Sequence, residues 1–143
     1  MKRFLLRTIL FLLPLALLLV GGEVVLRLQP NAAKAKDNAM RLTGNLIDTL
    51  ILGSSHAYYG LCPEIFGRNA YNAAQVSQTL KYDEFILNHY ALPRLRTVVL
   101  TMSDFSFYEE LEGTPTWYYA ARYRMYMGCD YHSLASAYAW EVA

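Results

Sequence analysis

Residues 46–56 read LIDTLILGSSH, and this stretch decides the fold. Its apolar part is short and ends abruptly at Gly53, which favours a buried strand over a helix. Two serines and a histidine follow directly. In open parallel sheets, functional side chains collect in the loops that follow the strands, so we expect the site at this turn and at residues 103–106 (SDFS), which follow the second predicted strand.

A βαβ arrangement is predicted around this strand. Residues 97–102 (TVVLTM) form a second apolar run, rich in β-branched side chains. Between the two runs, residues 79–91 have apolar side chains near helical spacing, and Pro93 ends that pattern. Residues 69–72 are expected to hold a further short strand. Strand, helix and strand within this length predict an α/β fold with parallel strands and a right-handed crossover.

The amino terminus predicts a membrane helix. Lys2, Arg3 and Arg7 precede the uncharged, leucine-rich run 8–22. A cleaved signal peptide and an uncleaved signal anchor are the two alternatives, and the poor cleavage site at residues 20–23 favours the anchor. Either one exports the rest of the chain, because the basic residues stay inside.

The domain boundaries follow from these patterns. Residues 29–43 are polar, small and weakly patterned, which is typical of a tether between membrane and domain. We therefore expect a transmembrane helix at 1–29, a stalk at 30–45 and a globular part at 46–143.

The composition excludes several classes of protein. In 143 residues, 55% are hydrophobic and 17% charged, which is incompatible with a disordered chain, and a net charge of +1 gives no field for nucleic acid. The two cysteines form no CxxC, so no metal is predicted. They could form one bridge in an exported protein, but buried thiols are favoured. Neither GxGxxG nor GxxxxGK[ST] occurs, so we predict no cofactor.

The turn after the first strand has two interpretations. Ser54 or Ser55 caps a helix that begins at His56, or a serine oxygen faces a crevice beside backbone N–H groups suited to an oxyanion. We assign His56 to substrate contact rather than to the base, since adjacent side chains rarely face each other. The GxSxG elbow of the α/β-hydrolase fold is absent.

Three blocks in order resemble a known family. Residues 53–56 (GSSH), 71–78 (YNAAQVSQ) and 98–104 (VVLTMSD) resemble the SGNH (GDSL-type) hydrolase superfamily. The likeness is greatest to its membrane-anchored bacterial branch, which includes proteins similar to alginate O-acetyltransferases and to the D-alanyl transfer proteins of cell-wall polymers. It spans about residues 46–112 and implies a flavodoxin-like, three-layer parallel sheet.

The resemblance implies roles for three serines. Ser55 matches the nucleophile, whose backbone N–H also serves the oxyanion hole. Ser77 stands where the family has a glycine that donates its N–H to the oxyanion. Ser103 stands where the family has an asparagine that donates its side-chain amide, and a hydroxyl there reaches less far.

The carboxyl end departs from the family, whose Asp-x-x-His supplies the base and the residue that orients it. Here Asp130-Tyr131-His132 has these residue types at another spacing. Either the sequence is an amino-terminal fragment or the hydrolase is degenerate. We favour a fragment, with an incomplete sheet, because the apolar residues at the end are left without a core.

Residues 116–138 are rich in tyrosine and tryptophan, with two arginines between them. Core packing of an amphipathic helix, a glycan platform and an interfacial belt are the three interpretations. The helical rhythm of Tyr119, Tyr123 and Tyr126 favours core packing.

Two functional hypotheses follow. The first is an anchored extracytoplasmic esterase or O-acyltransferase, in which Ser55 attacks acyl groups of surface polysaccharide or wall polymer. As the resemblance implies, it works beside a membrane protein that delivers the acyl group. The second is a non-catalytic, membrane-anchored accessory or glycan-binding module.

Overall fold

The computed structural model describes residues 2–28, 31–129 and 131. The chain divides into two units, one ending at Asn31 and the other beginning at Ala32. The helices and strands are α1 (Lys2–Leu28), α2 (Ala32–Thr43), β1 (Thr49–Leu52), α3 (Ser55–Gly60), β2 (Ala70–Asn72), α4 (Leu80–His89), β3 (Thr97–Leu100) and α5 (Tyr118–Arg122). A π-helical turn, Tyr123–Met127, continues α5.

Helix α1 confirms that the amino terminus is an apolar helix. Its stretch Arg7–Val25 spans 19 residues with a mean hydropathy of 2.3, which is long and apolar enough to cross a bilayer. Pro14 lies inside it without ending it. Anchorage and the external position of the remaining chain stay predictions.

The sheet has three parallel strands in the order β2-β1-β3, as expected for an α/β fold. Thr49 pairs with Ala70 on one side and with Thr97 on the other. The strands are shorter than the apolar runs that predicted them, since β1 begins only at Thr49. The flavodoxin-like, three-layer form stays a prediction.

Strand β1 is buried along its whole length because side chains of both its faces enter apolar clusters. Leu50 and Leu52 belong to the larger cluster, with side chains from α2, α4 and α5. Ile51 points to the opposite face and packs with Ala57 of α3 and Ala74. The sheet therefore has helices on both faces.

Residues 29–43 were expected to form a weakly patterned tether, but Ala32–Thr43 is helix α2. Ala33, Asp37 and Met40 are buried at helical spacing. The Tyr90 hydroxyl donates to Asp37 Oδ1 at 2.7 Å, and Arg41 Nε donates to the same carboxylate at 2.9 Å. The buried face has only one large apolar side chain, Met40, beside a small and a charged one, and this hid the amphipathic pattern.

The aromatic segment supplies part of the core, as its rhythm predicted. Tyr123 is buried and its ring lies 4.3 Å from that of Tyr82, centroid to centroid. Tyr119 and Tyr126 are partly buried against the same cluster. Tyr138 lies outside the described residues.

Candidate active site

The turn after β1 lies between the segments that follow the two neighbouring strands. The Gln75 N–H donates to the Gly53 carbonyl at 3.2 Å, and the Thr101 N–H donates to the Leu52 carbonyl at 3.1 Å. Because the strands are parallel, their carboxyl ends meet at one edge of the sheet. The three sequence blocks therefore converge there.

Gly53 is required at the centre of this edge. Its φ is +119°, a conformation that glycine adopts without strain. A Cβ atom at this position would lie 2.7 Å from the Thr101 carbonyl oxygen and closer still to the Thr101 hydroxyl. The absence of a side chain lets the segment after β3 approach the turn.

A cavity of about 220 Å³ brings two of the predicted site residues together. Ser55 is the first residue of α3, and Ser77 belongs to the loop between β2 and α4. The residues lining the cavity are Ser55, Ser77, Thr79, Glu109, Leu111 and Thr114. Its walls therefore carry four hydroxyl groups and one carboxylate.

Ser77 has an uncommon backbone conformation. Its φ is +59°, in the left-handed region, and no other described residue except glycine has a positive φ. An L-residue there costs free energy unless the surrounding structure imposes it. The loop that carries Ser77 is therefore held tightly.

Of the two interpretations of the turn, helix capping agrees with the structure in position but not in hydrogen bonding. Ser54 stands at the N-cap position of α3, but its side chain makes no capping hydrogen bond. Its hydroxyl lies 3.4 Å from Nδ1 of the exposed His56. His56 is not among the described residues that line the cavity.

Ser103, the third predicted serine, contacts Ser106. Its hydroxyl is 3.3 Å from the Ser106 hydroxyl, and its N–H donates to that same oxygen at 3.1 Å. Among the described residues, those lining the cavity do not include Ser103. The structure thus brings Ser55 and Ser77 together and leaves Ser103 outside.

A buried carboxyl group that was not predicted from sequence, that of Asp83, accepts a hydrogen bond from the turn after β1. Asp83 on α4 is 4% exposed, and its Oδ1 accepts the Gly53 N–H at 3.0 Å. The same oxygen accepts the Gln78 amide, whose own oxygen accepts the Tyr123 hydroxyl. Burial raises the pKa of Asp83, while the two donors act in the opposite direction.

The Tyr123 hydroxyl completes this network. Burial, and next the nearby Asp83 charge, raise the pKa of Tyr123 well above its usual value, so the phenol stays protonated as a donor. The chain Tyr123–Gln78–Asp83–Gly53 ties α4 and the π-helical turn to the site.

Asn72, at the end of β2, fixes α3 to the neighbouring loop. Its side-chain amide donates to the carbonyl oxygens of Ala57 at 2.8 Å and of Leu61 at 2.9 Å. Its oxygen accepts the Ala74 N–H at 3.0 Å. The helix that begins at Ser55 is therefore held at its far end as well.

Lys36 of α2 approaches the same loop. Its ammonium donates to the Ala74 carbonyl and lies 4.5 Å from the centre of the Tyr58 ring. Burial lowers the pKa of Lys36 to about 8. This lysine places a partly buried cation beside the edge of the sheet that carries the site.

Sequence reasoning missed four of the residues that line the cavity: Thr79, Glu109, Leu111 and Thr114. Thr79 precedes α4, and its buried hydroxyl has no hydrogen-bond partner among the described residues. Glu109 and Thr114 come from the irregular segment after β3, where no periodic pattern marks them. Only the fold shows that these residues face Ser55.

No metal centre or disulfide occurs in the part of the chain that is described. No group of three or more His, Cys, Asp or Glu side chains is placed to hold an ion. Cys62 is exposed and Cys129 buried, and the two are not bridged. The Cys62 thiol donates to Glu64 at 2.6 Å. His132, the candidate base, lies outside the described residues.

Comparison of the chain with family models, curated proteins and solved structures found no match.

Proposed function

We propose that this chain is a membrane-anchored, extracytoplasmic esterase or O-acyltransferase of the SGNH type, acting on acyl groups of cell-surface polysaccharide or wall polymer. The observation that carries the proposal is the cavity that Ser55 and Ser77 line together. The resemblance assigns these positions to the nucleophile and to an oxyanion donor. Both groups are needed at one place for acyl transfer.

The backbone of Ser77 gives independent support. Its φ of +59° is a conformation that favours glycine, and the family has a glycine at the matching position. The resemblance was drawn from sequence blocks alone, so the agreement in conformation adds to it. A serine there keeps the N–H group that the role requires.

The donors are also available. Neither the Ser55 N–H nor the Ser77 N–H has a hydrogen-bond acceptor among the described residues. Oxyanion holes are built from backbone N–H groups that have no other partner in the resting enzyme. Ser55 is the first residue of α3, where helix geometry leaves the N–H without an intrahelical partner, so both N–H groups can donate to a substrate oxygen.

In the proposed reaction, the Ser55 hydroxyl oxygen bonds to the acyl carbonyl carbon while a base takes its proton. The carbonyl electron pair moves to oxygen, and the N–H groups of Ser55 and Ser77 stabilise that charge. The intermediate then expels the alcohol oxygen, which takes the proton from the base. Water or an acceptor hydroxyl then attacks the acyl carbon of the acyl-serine and gives its proton to the base. The ester bond to the Ser55 oxygen breaks, that oxygen takes the proton back, and the acyl group leaves as the free acid or as a new ester.

Ser103 is the proposed third donor to the oxyanion. Its hydroxyl contacts Ser106, so it must exchange that partner for the substrate. For the base, the family pattern offers His132 or a histidine of a longer chain. Glu109 is the only ionisable side chain among the described residues that line the cavity. Comparing His132→Ala with Glu109→Gln separates these two candidates.

The anchor supports the proposed location. Lys2, Arg3 and Arg7 lie at or before the start of the apolar span of α1. Basic residues at this end of a span stay in the cytoplasm, which sends the rest of the chain outward. A polymer of the cell envelope is then within reach.

An active-site serine probe tests the proposal on the full chain in detergent. We expect a fluorophosphonate to label the native chain and Ser54→Ala, but not Ser55→Ala. Ser54 is the matched control because it is a neighbouring serine that does not line the cavity. Equal labelling of the native and Ser55→Ala chains would exclude Ser55 as the nucleophile.

The second candidate is a non-catalytic glycan-binding module. It is favoured by one observation: no histidine is among the described residues that line the cavity. This candidate predicts no labelling of the native chain, together with binding of polysaccharide that Ser55→Ala leaves unchanged.

A further inference from the structure

The cavity that Ser55 and Ser77 line, called the candidate cavity below, adjoins a second cavity of about 240 Å³. The two cavities share two lining residues, Thr79 and Glu109. We call the second one the side cavity, and its other lining residues are Leu80, Lys81, Ser106, Phe107 and Glu110. Because the two cavities share part of their walls, a substrate whose reacting carbon lies beside Ser55 can extend into the side cavity.

Thr79 lies at the junction of the two cavities. It is 5% exposed, and its hydroxyl has no hydrogen-bond partner among the described residues. Threonine at the N-cap position of a helix normally bonds to a backbone N–H there, but Thr79 makes no such bond at the start of α4. A buried hydroxyl without a partner costs free energy, and a substrate oxygen at the junction would supply the partner.

The third predicted serine adjoins the side cavity. Ser106 is buried and lines this cavity. Its hydroxyl oxygen accepts the Ser103 N–H at 3.1 Å and lies 3.3 Å from the Ser103 hydroxyl. All three sequence blocks therefore reach one of the two connected cavities, directly or through one neighbour.

Polar groups form most of the wall of the side cavity. Glu109 and Glu110 contribute carboxylates, and Thr79 and Ser106 contribute hydroxyls. Phe107 adds an aromatic ring and is 62% exposed. A long acyl chain would leave these polar groups without partners, whereas a sugar ring bonds to them through its hydroxyls and packs its apolar face on the aromatic ring. The side cavity therefore suits the alcohol part of an ester better than the acyl part.

The charges of the side cavity disfavour acidic sugars. Lys81 is the only basic residue that lines it in the described part of the chain. The Lys81 ammonium lies 4.1 Å from the centre of the Tyr131 ring, so an aromatic face already contacts this cation. The two carboxylates, of Glu109 and Glu110, outnumber it. An acidic substituent in this cavity would meet like charges, which suppress binding of the wrong partner.

We propose that the side cavity binds the alcohol part of the substrate ester, a sugar ring without acidic groups, while the acyl carbon lies at Ser55. This inference rests on the proposed function and narrows its substrates to polymers of neutral or amino sugars. In this arrangement the sugar ring packs on Phe107 and its hydroxyl groups donate to Glu110.

Binding of two matched oligosaccharides to the full chain, in nanodiscs of zwitterionic lipid, tests this proposal. The first probe is oligogalacturonate, which is acidic, and the second is the same oligosaccharide with its carboxyl groups converted to amides. We expect the native chain to bind the amide more tightly. Phe107→Ala should raise the dissociation constant of the amide by about two- to tenfold. Glu110→Gln should lower the dissociation constant of the acidic probe by up to about fivefold, because one like charge is removed.

Each variant has a matched control outside the side cavity. Tyr108 is an exposed aromatic residue next to Phe107, and Glu84 is an exposed carboxylate of α4. Neither is among the described residues that line the side cavity, so Tyr108→Ala and Glu84→Gln should bind both probes as the native chain does. Thermal unfolding of every variant checks that the fold is kept.

Three results would overturn the proposal. The first is a native chain that does not bind the amide, or that binds the acidic probe equally well or better. The second is an equal effect of Phe107→Ala and Tyr108→Ala on binding of the amide. The third is an equal effect of Glu110→Gln and Glu84→Gln on binding of the acidic probe.

This proposal and the proposed function fail separately. Fluorophosphonate labelling reports on Ser55, whereas oligosaccharide binding reports on the side cavity. Absent labelling, together with binding of the amide that depends on Phe107, would remove the enzyme and leave a glycan-binding cavity. Labelling of Ser55, together with binding that does not depend on Phe107, would remove only the assignment of the side cavity.

Discussion

A methyl group at Gly53 should destabilise the globular unit far more than the same change at Gly67. Both glycines have positive φ, +119° and +140°. No atom lies within 4 Å of the position that a Cβ would take at Gly67. At Gly53 the Cβ would lie 2.7 Å from the Thr101 carbonyl oxygen, with the Thr101 hydroxyl closer still. Gly67→Ala therefore measures backbone strain alone.

The magnitudes follow from these two terms. Backbone strain costs about 1–3 kcal/mol at either position. Overpacking against Thr101 adds about 1–3 kcal/mol at Gly53. We expect Gly53→Ala to lower the free energy of unfolding by about 2–6 kcal/mol in total. Adding Thr101→Ala removes the hydroxyl but not the carbonyl, so the double variant should recover only part of the loss.

Chemical unfolding of the full chain in detergent measures these differences, and labelling of Ser55 follows the site. Gly53→Ala should lower both stability and labelling, since the displaced turn carries the nucleophile. Equal destabilisation by Gly53→Ala and Gly67→Ala would refute the close approach of Thr101. Full recovery in the double variant would show that only the hydroxyl is in the way.

Three further predictions concern other parts of the unit. Burial lowers the pKa of Lys36 from 10.5 to about 8. Between these pH values the unfolded chain still binds the Lys36 proton and the folded chain does not, so the stability of the folded chain rises with pH. Chemical unfolding at pH 7 and at pH 10 measures this rise. We expect Lys36→Met to abolish it and Lys34→Met to keep it. By unfolding at pH 7, Asp83→Ala should cost about 2–4 kcal/mol because two buried N–H donors lose their acceptor, whereas Asp83→Asn keeps an acceptor and should cost less. On intact cells, an impermeant maleimide should label Cys62 but not buried Cys129, and no labelling would contradict an external domain.

Much of the fold could be predicted because apolar runs ended at clear signals. Gly53 after the first run and Pro93 after the helix placed β1 and α4 within a few residues of their observed ends. Helix α2 could not be found in this way. Its buried face includes Asp37, which is compatible with burial only because Tyr90 and Arg41 lie beside it, and these contacts are invisible in sequence.

The site was predictable only where it follows a strand. Ser55 begins the helix directly after β1, and its position after that strand was enough to single it out, whereas Ser77, between β2 and α4, was singled out by the family resemblance alone. Glu109 and Thr114 belong to a segment without periodicity, and tertiary packing alone brings them to the cavity. The carboxyl group of Asp83 was hidden because it lies within the pattern of α4.

The two neighbours of β1 lie at different distances along the chain, and this difference favours pairing with β2 before pairing with β3. β1 pairs with β2 across roughly 20 residues and with β3 across roughly 50, so closing the second loop costs about 0.7 kcal/mol more in chain entropy. As the ribosome releases the chain, β1 and β2 are complete well before β3. One edge of the most apolar strand therefore stays open during that interval, and a chaperone or a second nascent chain has access to it until β3 arrives.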